Sequence, residues 1–340
     1  MTNVAVCVIG AGMFGTVLAN IIARNGFEVR LLSRDAGKAA DINARHENVS
    51  ALPGHRLDDK VRATADGREA LSDASVVLLS VPSRGFRAAA RDAATWLQPD
   101  AMVVSTTKGI EAPGFKLMSA VLTDELPGRA VGVLSGPNLA AEIADDQITG
   151  TVIASTNPAL NAQLQAVLHS HQFRVYSSAD VFGVELAGAL KNMYAIAAGM
   201  ASSMGVGQNT RGVLLTRSLA EMSRFGASMG ANPLTFLGLA GVGDLFVTCS
   251  SPLSRNYQIG ALLGQGLGTA AAEQQLGRLA EGINTVRTVK AQADTTGVYM
   301  PIVAGLHAVL FEHKPLQRVI VDMMTTEEGV DVEFVTGQMP

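Results

Sequence analysis

The sequence predicts an α/β protein: a doubly wound, mostly parallel sheet over its first half, followed by an all-helical second half. Three observations predict it. Short β-branched runs alternate with helix-forming stretches up to about residue 178, long helical stretches dominate from about Ala179, and a glycine-rich turn joins the first strand to the first helix. The expected strands are Val4–Ile9, Glu28–Leu32, Val76–Ser80, Met102–Ser105, Ala130–Leu134, Thr151–Ser155 and Arg174–Tyr176. Their apolar runs fit burial on both faces of a sheet. The stretches 17–25, 86–97 and 115–124 have helix-forming composition and lie between strands. Beyond them, 181–204, 211–229, 276–295 and a shorter stretch near 302–311 read as helices without strand signals. The segment 260–277 reads as a short helix plus a loop. The expected organisation is therefore a domain over 1–178, a helical domain over 179–328 and a loose tail over 329–340.

Composition narrows the function. The chain has 340 residues, of which 48% are hydrophobic and 16% charged, which suits two compact domains. Only 5% are aromatic while Ala and Gly are abundant, so helices are expected to approach closely. The formal net charge of -4 argues against nucleic acid or an anionic membrane surface as partner. Any phosphate site must then be built locally from a few placed donors. The two cysteines, Cys7 and Cys249, exclude a disulfide framework and read as free thiols, and no metal-ligand spacing is present. The N-terminus lacks the basic start of a signal peptide. The weakly polar stretch 181–204 contains Glu185, Lys191 and Asn192, which are costly inside a bilayer. It reads as a buried helix of a soluble, cytoplasmic protein with no membrane insertion.

The strand 4–9 runs into Gly10-Ala11-Gly12-Met13-Phe14-Gly15 and then into a helix. This is G-x-G-x-x-G in the context that gives it meaning, and it makes the first domain Rossmann-like. Gly10 permits the tight turn, Gly12 lets the backbone approach a pyrophosphate, and Gly15 lets helix and strand pack closely. The helix N-terminus adds free N–H groups and the positive end of its dipole. A chance glycine turn is the bland alternative, and its placement in a strand–helix unit argues against that.

The second strand should carry the ribose selector about 20 residues after the glycines. An acid there would bind a 2′-hydroxyl and repel a 2′-phosphate. Ser33 and Arg34 stand in its place, and Arg34 can pair with a phosphate and stack on adenine. NADP(H) is therefore the expected preference. Asp35 next door keeps NAD(H) open, as does the reading of Arg34 as a solvated surface residue.

Ligands of open α/β sheets sit outside the carboxyl ends of the strands. Four polar turns occupy such ends: the glycine turn, Ser80-Val81-Pro82-Ser83, Thr106-Thr107-Lys108-Gly109 and Ser135-Gly136-Pro137-Asn138. Lys108 alone reads as an ordinary loop lysine. Convergence with the other turns makes it a candidate for contact with an anion.

Lys191 lies well inside the long apolar helical stretch, between Leu190 and Asn192. Such a lysine either snorkels outward or faces a cleft with a partner. In a cleft it can protonate a carbonyl oxygen while hydride arrives at the carbon. Gly241-Val242-Gly243-Asp244-Leu245 supplies an acid, Asp244, that can orient it. Ser254-Arg255-Asn256 offers a compact donor set for a phosphate monoester, or else a helix cap on a surface turn. Glu281-Gly282 carries no chemistry legible by itself.

Taken in order, these segments resemble the bacterial NAD(P)-dependent glycerol-3-phosphate dehydrogenase family over nearly the whole chain. Leu219-Ala220-Glu221-Met222 belongs to the same set of carriers. The resemblance implies reversible reduction of dihydroxyacetone phosphate to sn-glycerol 3-phosphate, a small-molecule substrate pair that feeds glycerophospholipid synthesis. It implies Lys191 as the catalytic acid–base and Lys108 as a contact to cofactor and substrate. It places Gly136, Asn138, Asp244, Ser254 and Asn256 at the substrate, and Arg255 at both the substrate phosphate and the cofactor. Ala140, Leu279 and Glu281 would border the cofactor, with Met13 and Phe14 at the pyrophosphate and Arg34 at the adenosine phosphate. Two departures stand out: the family usually has a small residue where Met13 stands and Trp or Tyr at Phe14, and Ser or Thr at Asn138. The rival in the same class is a reductase of a keto acid, such as ketopantoate, which needs a carboxylate clamp. A catalytically idle dinucleotide sensor would lack Lys191 or Asp244, and both are present. The sequence leaves a homodimer open.

Overall fold

The computed structural model describes residues 4–277 and 281–324. The expected tail over 329–340 lies outside them. The described chain forms two compact units, one over 4–111 with 116–185, the other over 112–115 with 186–277 and 281–324.

The first unit contains β1 (Val6–Ile9), α1 (Met13–Arg24), β2 (Val29–Leu32), α2 (Ala36–Arg45), β3 (Val61–Thr64), α3 (Gly67–Leu71) and β4 (Val76–Leu79). It continues with α4 (Phe86–Ala94), β5 (Met102–Ser105), β6 (Ile110–Glu111), β7 (Lys116–Leu117), α5 (Met118–Glu125) and β8 (Val131–Ser135). It closes with α6 (Ala140–Ala144), β9 (Thr149–Ala154), α7 (Pro158–Leu168) and β10 (Phe173–Ser178). Eight strands make one sheet in the order β10-β9-β8-β5-β4-β1-β2-β3, and β6 with β7 forms a small hairpin. Pairing is parallel except between β8 and β9. Alternate residues of the central strands feed two separate cores. Val6 and Val8 of β1 join Val76 and Leu78 of β4 under α1 and α7. Cys7 and Ile9 join Val77 and Leu79 under α4 and α5. Burial on both faces is why these strands read as unbroken apolar runs.

The sheet holds one strand that the sequence pattern does not show. β3 is a four-residue edge strand containing the exposed Arg62. Helix α2 is likewise absent from the expected pattern, because Gly37, Lys38 and Asp41 dilute its apolar face; its start is fixed by Asp35, whose carboxylate accepts from the Lys38 N–H at 3.0 Å. Helix α1 begins at Met13 rather than Val17, with Gly12 as its N-cap.

The second unit is helical among the described residues. The boundary between the units falls within α8 (Val181–Ser203), which continues into α9 (Gln208–Ser228), a 3₁₀ turn over Pro233–Leu237 and a π turn over Leu239–Gly243. Then come α10 (Asp244–Ser250), α11 (Arg255–Gly264), α12 (Thr269–Leu276), α13 (Glu281–Thr296), α14 (Pro301–Phe311) and α15 (Leu316–Met324). Leu186, Ala187, Leu190, Met193, Tyr194 and Ile196 of α8 are fully buried. A helix apolar all round belongs in a protein core or a membrane; among the described residues no helix is long and apolar enough to cross a membrane. Gly260 of α11 lies against the backbone of Ile196, where a Cβ would collide. The glycine- and alanine-rich composition thus serves close helix packing.

Two buried glutamates cap helices from a neighbour. Glu221 of α9 accepts from the backbone N–H of Ile302 (2.6 Å) and Val303 at the start of α14, and from the Tyr194 hydroxyl at 3.2 Å. Glu185 accepts from the N–H of Ser119 (2.9 Å) and from its hydroxyl at the start of α5. These bonds satisfy helix-terminal donors that otherwise lack partners. Burial pushes each carboxyl up to about 7 from its ordinary 4.5, against the pull of the donors. The unfolded chain therefore releases these protons at lower pH than the folded chain. Their contribution to stability is complete below pH 4.5 and is lost as pH rises toward 7. Urea unfolding followed from pH 5 to pH 8 should show a fall over that window, and Glu221→Gln and Glu185→Gln should each flatten it. A slope unchanged in both variants would show that these carboxyls are not the source.

Candidate active site

The carboxyl edge of the first unit's sheet is built around the β1–α1 turn. β1 sits between β4 and β2, so the chain leaves it toward opposite sides, which is the place where open α/β sheets bind ligands. Gly10 adopts φ +112°, and a Cβ there would strike the Ser80 carbonyl. A Cβ at Gly15 would strike the Gly10 carbonyl, whereas Gly12 is exposed with open space beside it. The turn is closed on its protein side and open on its solvent side, as a backbone cradle for a pyrophosphate requires. The first-turn N–H groups of α1 lack a side-chain cap, so they are available to an anion. Met13 is 42% exposed at the helix start, and Phe14 is half-buried against the core beneath.

At the end of β2, Ser33 is buried and Arg34 is exposed. Asp35 is engaged as the cap of α2. The β5 turn is tied to β4: the Thr106 hydroxyl donates to the Leu79 carbonyl at 3.1 Å and the Thr107 hydroxyl to the Val81 carbonyl at 2.6 Å. Lys108 then reaches the next turn, its Nζ donating to the Gly136 carbonyl at 2.9 Å. Asn138 is held by β9, its amide oxygen accepting from the Thr151 hydroxyl at 3.0 Å. Ala140 opens α6 immediately beyond. The turns expected to converge do so, through hydrogen bonds between neighbouring strand ends.

The second unit holds a buried charge cluster. Lys191 of α8 is 6% exposed and Asp244, at the head of α10, 1%. Lys191 Nζ donates to Asp244 Oδ1 and, at 2.6 Å, to Thr248 Oγ1. Lys191 therefore does not snorkel outward. The carboxylate supplies the counter-charge that a buried ammonium requires. The π turn over Leu239–Gly243 sets the entry to α10, and Gly241 packs on the Phe236 backbone where a side chain would not fit. Cys249 is buried beside this pair, and burial pushes its thiol up to about 12, so it stays protonated and inert. Ser254 caps α11, its hydroxyl accepting from the Tyr257 N–H, while Arg255 is exposed at the first position of that helix. Asn256 is buried, and its side-chain oxygen accepts from the Gly282 N–H at 3.1 Å, which links α11 to the start of α13 at Glu281. Leu279 lies outside the described residues.

Thr248 is absent from the expected set. Its signal was available in the sequence, since it stands four residues after Asp244 and so shares its helix face. Asn48 is a second addition: fully buried, it donates to the Ala11 carbonyl at 3.1 Å and to the Thr16 hydroxyl at 2.8 Å, bracing the glycine turn.

Residues 5–161 match the family model for the NAD-dependent glycerol-3-phosphate dehydrogenase N-terminus, and residues 180–321 match that for its C-terminus. The glycerol-3-phosphate dehydrogenase [NAD(P)+] of Azotobacter vinelandii is 53% identical over 331 residues, covering 97% of each chain. The solved glycerol-3-phosphate dehydrogenase of Coxiella burnetii is 33% identical with a TM-score of 0.89, covering 95% of this chain and 99% of that one. A ketopantoate reductase of Ralstonia eutropha, 18% identical with a TM-score of 0.58 and covering 94% of this chain and 99% of that one, shares the fold alone. With both of its family models matched in order, the chain belongs to the NAD-dependent glycerol-3-phosphate dehydrogenase family.

Proposed function

We propose that this chain reversibly reduces dihydroxyacetone phosphate to sn-glycerol 3-phosphate with NAD(P)H, favouring NADPH, in the cytoplasm, where the product supplies glycerophospholipid synthesis. The first unit binds the dinucleotide and the second carries the acid–base machinery. The observation that carries this reading is the buried Lys191–Asp244–Thr248 cluster, in a chain of this family. An ammonium held under 10% exposed by two partners is a costly arrangement for structure alone.

When bound, the nicotinamide supplies the hydride that reduces the carbonyl carbon. Lys191 delivers a proton to the carbonyl oxygen as the C=O π bond breaks, and takes it back in the reverse direction. Asp244 and Thr248 fix the direction of the ammonium. Gly10, Gly12 and Gly15 shape the pyrophosphate cradle, with Met13 and Phe14 at its mouth and Arg34 toward the adenosine. Lys108, joined to Gly136, contacts cofactor and substrate, and Asn138 and Ala140 border them. Glu281 borders the cofactor side. Ser254, Arg255 and Asn256 take the substrate phosphate: Arg255 is an exposed, always-charged fork at a helix N-terminus, where phosphate oxygens are favoured. A homodimer belongs to the same proposal, since Leu234, Leu237, Val242 and Phe246 are exposed apolar side chains within one stretch. Light scattering that returned a monomer mass would reject that part.

The phosphate assignment separates this reading from a keto-acid reductase. Arg255→Ala should lower kcat/KM for dihydroxyacetone phosphate by about 10- to 10²-fold, the loss of one charge-assisted contact. The loss for dihydroxyacetone should be much smaller. Phosphite should rescue dihydroxyacetone reduction by the wild type but not by the variant. Equal losses on both substrates without a phosphite effect would reject the phosphate clamp.

A further inference from the structure

The β2–α2 region contains a cation that the family resemblance does not assign. Lys38 lies in the first turn of α2, and its side chain crosses back to the glycine turn, where Nζ donates to the Ala11 carbonyl at 2.7 Å. It is half-buried, and the same carbonyl accepts from Asn48 on its other side. The ammonium therefore stands between the carboxyl ends of β1 and β2, beside the loop that carries Arg34. In a sheet of this type that is the position of the adenosine ribose and its 2′ substituent.

Charge points the same way. The acid expected of a 2′-hydroxyl selector is replaced by the small Ser33, whose hydroxyl accepts from the Asp35 N–H at 3.2 Å. The nearby acid, Asp35, faces the N-terminus of α2 as its cap. Burial draws the Lys38 pKa below its ordinary value, and the neighbouring Asp35 offsets this only in part. An ammonium in that condition gains from an added anion. A lysine has three donors, and a carbonyl that already accepts from Asn48 is a neutral partner that a dianion would outcompete.

We propose that Lys38 is a specificity-determining residue for the cofactor, forming with Arg34 a two-cation clamp on the 2′-phosphate of NADPH. Arg34 closes over the phosphate from the exposed side, and Lys38 meets it from the turn. This rests on the reading that the glycine turn binds the dinucleotide.

The test is calorimetric titration of the full-length protein with 2′,5′-ADP and with 5′-AMP, which differ only in the 2′-phosphate. The variants are Lys38→Met, Lys38→Gln, Lys38→Arg and Arg34→Ala. Lys38→Gln can still donate to the Ala11 carbonyl without the charge, so it separates bracing of the turn from recognition of phosphate. Lys38→Met and Lys38→Gln should each weaken 2′,5′-ADP about ten- to a hundredfold, as expected for a lost charge-assisted bond. Binding of 5′-AMP should hardly change, and Lys38→Arg should retain most of the discrimination. Equal weakening of both nucleotides would overturn the proposal and leave Lys38 as a brace of the turn. Loss of discrimination in Arg34→Ala but not in either uncharged Lys38 variant would also overturn it, while leaving the dinucleotide reading intact. Failure of the wild type to bind either nucleotide would remove both.

Discussion

The second unit is organised by the need to keep a charge inside an apolar helix. Lys191 lies on α8 among side chains that are fully buried, and an isolated ammonium there would cost several kcal/mol. Asp244 removes that cost only if α10 starts at the right height and angle. The chain reaches that geometry through the π turn over Leu239–Gly243, where Gly241 allows contact with the Phe236 backbone. Thr248, one turn along α10, accepts a second bond from the same ammonium. The helices around the pair are fixed in turn by close glycine contacts between α8 and α11 and by Glu221, which ties α9 to α14 and to Tyr194 of α8. Tyr194 is one helical turn from Lys191, so the glutamate cap also restrains the helix that presents the ammonium.

The first unit solves a different problem. On the proposed function it must receive a phosphate-rich ligand in a protein of net negative charge. Backbone geometry does much of this work. The glycine turn is closed toward Ser80 and open toward solvent, and the first turn of α1 presents N–H groups there. The turn itself is braced by Lys38 and Asn48, which share the Ala11 carbonyl. The polar turns after β4, β5 and β8 are cross-linked by Thr106, Thr107 and Lys108. A few placed cations and oriented amides therefore serve where net charge does not.

Much of this was legible in the sequence because the responsible forces are local. β1 and β4 could be read because burial on both faces leaves them apolar throughout, and β5 because only its last residue, Ser105, is polar. The glycine turn could be read because Gly10 and Gly15 are each required by a steric contact and the turn stands between a strand and a helix. β3 could not, since an edge strand four residues long with an exposed Arg62 lacks any apolar run. The order of the sheet and its one antiparallel pairing are also absent from local pattern, being set by which strands meet across the two cores. At Lys191 the sequence left two orientations open. The choice depends on Asp244, fifty-three residues on, and on the turn that aims it. Lys38 had no signal, because a lysine in the first turn of a polar helix reads as surface until its side chain is seen to cross to another loop.

The account stands on Lys191 and Asp244 being a catalytic pair rather than a structural one, and a cycle of variants separates these most directly. Thermal melting and steady-state turnover of dihydroxyacetone phosphate should be measured for Lys191→Met, Asp244→Leu and the double variant. Each single change leaves a buried charge without its partner and should destabilise by about 3–5 kcal/mol. The double variant should regain most of that stability, because apolar side chains of similar length replace the pair. Turnover should stay low by about 10²–10⁴-fold in Lys191→Met and in the double variant alike, since neither has a proton donor. Recovery of turnover together with stability in the double variant would show that the pair serves only the fold, and would contradict the assignment of Lys191 as the acid.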